Sequence, residues 1–95
     1  MSVAIATKVF GSEVLVGLIQ FFRTHPQATQ SDAMRHLELA HQTVSHNTRI
    51  LLQAGVLEVL TPKQGRTGGT YAVDEERVDM LVRELRKYLL VDDPQ

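Results

Sequence analysis

The sequence predicts a mainly α domain of about five helices carrying one small two-stranded β-hairpin. Three observations carry that expectation. Apolar residues recur every three to four positions in several separate stretches. Residues that start and stop helices bound those stretches: Ser12, Thr29, Gly55 and Pro26. Only one pair of short β-branched runs is present, VLEVLTP and TYAVD, joined by the glycine-rich KQGRTGG at 63–69.

Taken in order, GSEVLVGLIQFFRTHP opens on Ser12, a capping residue, and stops before Pro26, which disfavours helix at the residue preceding it. Val14, Leu15, Leu18, Ile19 and Phe22 form a wide stripe, so 12–24 reads as a buried central helix. Residues 3–10 (VAIATKVF) either extend this helix or form one of their own. Thr29 and Asp32 have capping-box spacing and open a helix ending near Leu37, too short to be stable without neighbours. Glu38-Leu39-Ala40 breaks the chain before a helix over 41–54, and Gly55 ends it. After the hairpin, Asp74-Glu75-Glu76 places acids at the positive end of a last helix. Val78, Leu81, Val82, Leu85 and Leu89 follow at i, i+3, i+4, i+7 and i+11, and DDPQ is a tail.

With 95 residues the whole of 1–95 reads as one domain. No apolar run approaches the ~20 residues of a membrane span, and MSVAIATKVFGSE lacks the basic region and cleavage site of a secretory signal. The expectation is a cytoplasmic protein with no membrane partner. The absence of cysteine excludes disulfides, thiolate metal sites and thiol nucleophiles. Net charge is −1, unevenly spread. Residues 1–73 hold six Lys/Arg against four Asp/Glu, and residues 74–95 hold four against seven. The acidity sits at the C-terminal end, leaving the middle free to approach an anion.

On a helical wheel of 41–54, Val44, Thr48 and Leu51 share one face, while Gln42, His46, Arg49 and Gln53 share the opposite one, flanked by Thr43 and Ser45. Ile50 falls off the apolar line, and periodicity gives no account of it. A short helix, a three-residue turn and a longer helix with a polar outer face make a helix-turn-helix arrangement. Such a helix fits the DNA major groove, where Gln bonds an adenine edge twice and Arg a guanine edge twice. Lys63 and Arg66 on the hairpin tip are placed to meet phosphates. The plainer alternatives are a solvated helix face and a hairpin tip whose charge serves solubility.

The stretch LELAHQTVSHNTRILLQAGVLEVL resembles the signature of bacterial winged-helix repressors of the ArsR type, with MarR-like regulators as near neighbours. Thr43, Val44, Ser45, Leu51, Ala54 and Gly55 match in place, and GRTGGTYAVDEERVDMLVRELRKYL is similar to the wing and closing helix. The resemblance covers roughly 10–90. It implies a dimeric, sequence-specific transcriptional regulator, a repressor, in which Gln42, Thr43, Ser45, His46 and Arg49 meet double-stranded DNA. Three departures stand out: Ala40 in place of a capping Ser, Asn47-Thr48 in place of His-Leu, and Glu38 in place of a turn Gly.

The metal sites of that family do not carry over, because the chain has no cysteine and no histidine after His46. His36, His41 and His46, spaced by five residues, share no helical face, so no metal and no cofactor is expected. GRTGG lacks the Gly-Lys-Ser/Thr ending of a phosphate loop and precedes a strand, so no enzyme is expected either. Val78, Leu81, Val82, Leu85 and Leu89 are expected to form a homodimer seam, together with the N-terminal segment Val3–Phe10, which has no evident partner within its own chain. Two copies of helix 41–54 would then read an inverted repeat, with 61–70 on the backbone. An assembly module that binds protein and no specific DNA is the alternative, and a further effector or partner protein stays open.

Overall fold

The computed structural model describes residues 2–64 and 68–90. In chain order it contains α1 (Ser2–Phe10), α2 (Glu13–Thr24), α3 (Gln30–Leu37), α4 (His41–Gln53), β1 (Leu57–Thr61), β2 (Thr70–Val73) and α5 (Glu75–Leu90). The ambiguous segment 3–10 is therefore a separate helix, meeting α2 at 88°. Gly11 permits the corner, since a Cβ there would lie 2.6 Å from the Thr7 carbonyl oxygen. No single described helix is long and apolar enough to cross a membrane.

α2 is the central post. The Ser12 hydroxyl accepts from the Leu15 N–H at 3.3 Å, and Leu15, Leu18, Phe21 and Phe22 are buried. α3 is held at its start by the full capping box. Thr29 Oγ1 accepts from the Asp32 N–H at 3.1 Å, and the Asp32 carboxylate accepts from the Thr29 N–H at 2.9 Å. That backbone hydrogen bond, aided by the Thr29 hydroxyl and the Arg35 charge, holds the Asp32 carboxyl below its ordinary 3.8. The turn to α4 runs through Glu38 in the left-handed region, φ 55° and ψ 48°, where a glycine would sit without the Cβ penalty.

α4 buries Val44, Thr48 and Leu51 completely and ends as the sequence predicts. Gly55 takes φ 80°, its N–H reaches the Leu52 carbonyl at 3.1 Å, and the Val56 N–H reaches the Leu51 carbonyl at 3.0 Å. These are the two bonds of a Schellman ending, with Leu51 and Val56 in the core beneath it. Arg77 of α5 donates from Nε to the Ala54 carbonyl at 2.9 Å, placing a cation at the negative end of α4. The hairpin is antiparallel, with Leu57 opposite Val73, Val59 opposite Tyr71 and Thr61 opposite Thr70. Leu60 is thus the extra residue of a bulge that bends the wing.

Two expectations need correction. The N-terminal segment does have a partner in its own chain: α1 packs along α5 and on α2, burying Ala6 and Val9. Ile5, Val9 and Ile50 also line one groove between α1 and α4, which accounts for Ile50, an apolar residue facing α1 and not the α4 core line. Secondly, Leu81 has zero exposure inside its own chain, so it cannot belong to a surface seam. It points inward, whereas Val82 and Leu89 stay 47% and 66% exposed and Val78 and Leu85 are half-buried. One helix supplies both the core and an outer apolar ridge because its stripe is wider than its own neighbours cover.

The Thr48 hydroxyl lies in that core with no hydrogen-bond partner among the described residues. A buried, unmatched polar group destabilises by about 1–3 kcal/mol, so Thr48→Val should raise unfolding free energy by about 1 kcal/mol or more. The midpoint of a urea transition reads this directly. A midpoint that stays put or falls would show that the hydroxyl is satisfied.

Candidate nucleic-acid interface

With Val44, Thr48 and Leu51 fixed inward, the 3.6-residue repeat turns Gln42, His46 and Arg49 outward. All three are exposed, and Thr43 and Ser45 are half-buried on the flanks. The N-terminal turn of α4 does not stand alone. Ser45 and His41 line a cleft of about 300 Å³ shared with Gln30 and Ser31 at the start of α3 and with Lys63 and Gly69 at the base of the wing. Helix-turn-helix and hairpin thus converge on one concave, polar surface.

Two contacts fix the convergence. Gln30 Nε2 donates to the Tyr71 hydroxyl at 3.1 Å, tying α3 to β2, while the Tyr71 ring meets Phe22 edge-on at 5.4 Å between centroids. At the wing base, a Cβ on Gly69 would come within 2.8 Å of the Thr61 carbonyl oxygen, so only glycine lets the two strands approach there. Gln30 and Ser31 are interface candidates that the sequence does not single out, and His41, a histidine the sequence leaves as surface or DNA-facing, joins them. Their helix-start positions were visible in sequence, but their shared cleft with Lys63 was not.

Lys63 is exposed on this surface, and Arg66 lies outside the described residues. Among the described residues neither Arg49 nor Lys63 has an ion-pair partner, so both charges are available to an anion. Glu38 is exposed at the turn between α3 and α4. Asn47 Nδ2 donates to the Thr43 carbonyl at 2.7 Å, so its amide is engaged with its own helix. The expected seam residues Val78, Val82, Leu85 and Leu89 lie together on α5, apart from the inward Leu81. Among the described residues no three His, Asp or Glu side chains gather as a metal site. His36 parts from His41 and His46 and packs instead on Phe21 and His25, at 5.1 and 4.9 Å.

A three-helix core with a helix-turn-helix pair, followed by a two-stranded wing and flanked by N- and C-terminal helices, defines a winged helix-turn-helix fold. Solved structures share it. A MarR family transcription regulator, SP03579, superposes with a TM-score of 0.65 at 17% identity, over 94% of this chain and 58% of that one. NMB1585, a MarR family regulator from Neisseria meningitidis, gives 0.61 at 18% identity, over 87% and 63%. The heme sensor protein PefR from Streptococcus agalactiae, in complex with heme, gives 0.54 at 12% identity, over 98% and 71%. The chain therefore spans about 58 to 63% of the length of the first two. The first two of these neighbours are MarR family regulators, and the ArsR type that the sequence resembles is not named among the three. No family model and no curated protein matches the sequence.

Ala40 occupies the N-cap of α4 in extended conformation, φ −69° and ψ 154°, without a side-chain cap. Ala40→Ser should stabilise the protein by about 1 kcal/mol by satisfying an orphan N–H at the interface end of α4. Thermal melts of the two proteins check it, and an unchanged Tm would mean that the N–H groups of this turn are already satisfied.

Proposed function

We propose that this protein is a sequence-specific, double-stranded-DNA-binding transcriptional regulator, a repressor, that acts as a homodimer on an inverted repeat. The observation that carries the reading is the cleft that α4, through His41 and Ser45, shares with the start of α3 and with Lys63 at the wing base. α4 enters the major groove, where Gln42, Thr43, Ser45, His46 and Arg49 meet base edges and adjoining phosphates. Residues 61–70, with Lys63 and on sequence grounds Arg66, follow the backbone. No metal and no catalytic step enters this role, and any effector or partner protein acts from outside it.

The homodimer reading rests on α5. Its outer ridge of Val78, Val82, Leu85 and Leu89 adjoins a groove of about 200 Å³ lined by Ile19 and Val73. The charges of the helix are divided. Residues 75–81 carry Glu75, Glu76 and Asp79 against Arg77, and residues 82–90 carry Arg83, Arg86 and Lys87 against Glu84. An antiparallel pair of α5 helices sets each acidic half against a basic half, and a parallel pair opposes like charges. A two-fold axis makes such a surface self-complementary. It also lets two α4 helices enter successive major grooves about 34 Å apart.

Selection of bound DNA from a random pool is the deciding experiment, and an inverted repeat is the expected product. Arg49→Ala should then weaken specific binding by about 1–3 kcal/mol and relax preference at one position. Lys63→Ala should weaken all sequences alike and flatten the dependence on salt, because a phosphate contact releases counterions. No enriched site, with both variants binding as the parent does, would favour the assembly-module alternative. For the dimer, Val82→Asp places a charge on an exposed position without entering the core. It should shift the sedimenting species to monomer and lower operator affinity by at least about tenfold. A parent that sediments as a monomer at micromolar concentration would overturn the dimer.

A further inference from the structure

A cleft of about 550 Å³ lies at the junction of α2 and α3 and shares no lining residue with the cleft at the wing base. Phe21, His25, Asp32, Arg35 and His36 line it. His25 comes from the C-terminal cap of α2 and His36 from the last turn of α3, and their ring centroids are 4.9 Å apart at an interplanar angle of 59°. His25 is held firmly. Its ring stacks on Phe21 at 4.5 Å and 18°, and its Nδ1 lies 3.0 Å from both the Phe21 carbonyl oxygen and the Thr24 hydroxyl.

A carbonyl oxygen carries no proton, so Nδ1 of His25 is the donor in that contact. With Nδ1 as that donor, the neutral ring carries its lone pair on Nε2. A ring N–H given to a backbone carbonyl, with the other nitrogen left free, is the support that metal-ligating histidines usually have. His36 is exposed, and neither of its nitrogens has a hydrogen-bond partner among the described residues. Two imidazole nitrogens on one tetrahedral ion at about 2.1 Å place their ring centres roughly 5 Å apart; these two ring centres, both packed on Phe21, are 4.9 Å apart. The loop between the helices is itself constrained. Gln27 takes φ 69°, and the Ala28 N–H bonds back to the His25 carbonyl at 3.1 Å.

We propose that His25 and His36 form a two-histidine site for a borderline divalent ion of the zinc, nickel and copper class, with water completing its shell. Imidazole suits these ions, and water ligands in an open cleft leave the ion exchangeable. Asp32 and Arg35 face the same cleft but are paired with each other, so their charges largely cancel toward an incoming cation. Occupancy ties the end of α2 to the end of α3, the first helix of the helix-turn-helix pair. The site lies beyond the DNA-binding reading and does not depend on it.

Titration calorimetry of the untagged chain with zinc chloride or nickel chloride alone tests the site. One ion per chain is expected, with affinity lowered at least tenfold in His25→Ala and in His36→Ala and retained in a His41→Ala/His46→Ala double variant. The ion binds the folded state, so saturating metal should raise Tm of the parent by about 5 °C and leave His36→Ala unmoved. His36→Ala decides the matter if His25→Ala fails to fold, because His36 is exposed and unbonded. No binding at about 1 mM metal, or parent affinity in His36→Ala, would overturn the proposal. DNA binding measured in chelator remains a separate readout.

Discussion

Burial of a single face of α4 is the constraint on which the rest of this structure depends. Val44, Thr48 and Leu51 have no exposed surface, and their spacing of four and three residues locks the helix in rotation about its axis. Once that rotation is fixed, the direction of Gln42, His46 and Arg49 is fixed with it. The outer face needs no rigidity of its own, because the side chains beneath it are packed. The Thr48 hydroxyl, without a partner among the described residues, is a flaw in that packing, and it sits directly behind the exposed face. Stability lost there is lost from the element that carries the proposed recognition.

The end of α4 transmits the same constraint to the wing. Gly55 reverses the chain in a left-handed turn, and Val56 returns at once to the core beside Leu51. β1 therefore leaves the helix in a set direction. The Asp74 N–H bonds the Val56 carbonyl at 2.8 Å where β2 ends, and Arg77 reaches from α5 to the Ala54 carbonyl. Helix end, strand start and the first turn of α5 thus form one knot of hydrogen bonds. From the other side, the Gln30–Tyr71 bond ties β2 to α3. Wing and helix-turn-helix pair are thus tied at the start of β1, at the end of β2 and through Tyr71.

With α1 packed along it, α5 divides its apolar surface between two tasks. Ala6, Val9 and Leu81 complete the core within the chain, while Val82, Leu89 and the neighbouring Tyr88 and Leu90 stay open to solvent. A small domain buries a modest fraction of its surface, and apolar ridges of this kind are where association adds burial. In the proposed homodimer the segregated charges of α5 favour an antiparallel approach of two such ridges.

The local elements were legible in the sequence because their signals are local. Ser12, the Thr29–Asp32 box, Gly55 and the acids at 74–76 each act within one helical turn, and the boundaries fall within a residue or two of where those residues place them. The polar face of α4 was legible for the same reason, since a helix converts spacing into direction without help from elsewhere. What the tertiary structure decided concerns residues whose meaning lies in a distant partner. Ile50 looked misplaced until α1 came to lie against it, and α1 itself looked unpartnered until α5 packed along it. Leu81 and Val82 are adjacent, equally apolar members of one stripe, and only the position of the neighbouring helices sends one into the core and the other to the surface. His25 and His36, eleven residues apart, meet because a left-handed turn at Gln27 folds α3 back beside α2. Sequence spacing fixes direction within a helix, but nothing in the spacing encodes which helix arrives from outside. That is settled by packing, which minimises exposed apolar area over the whole chain at once.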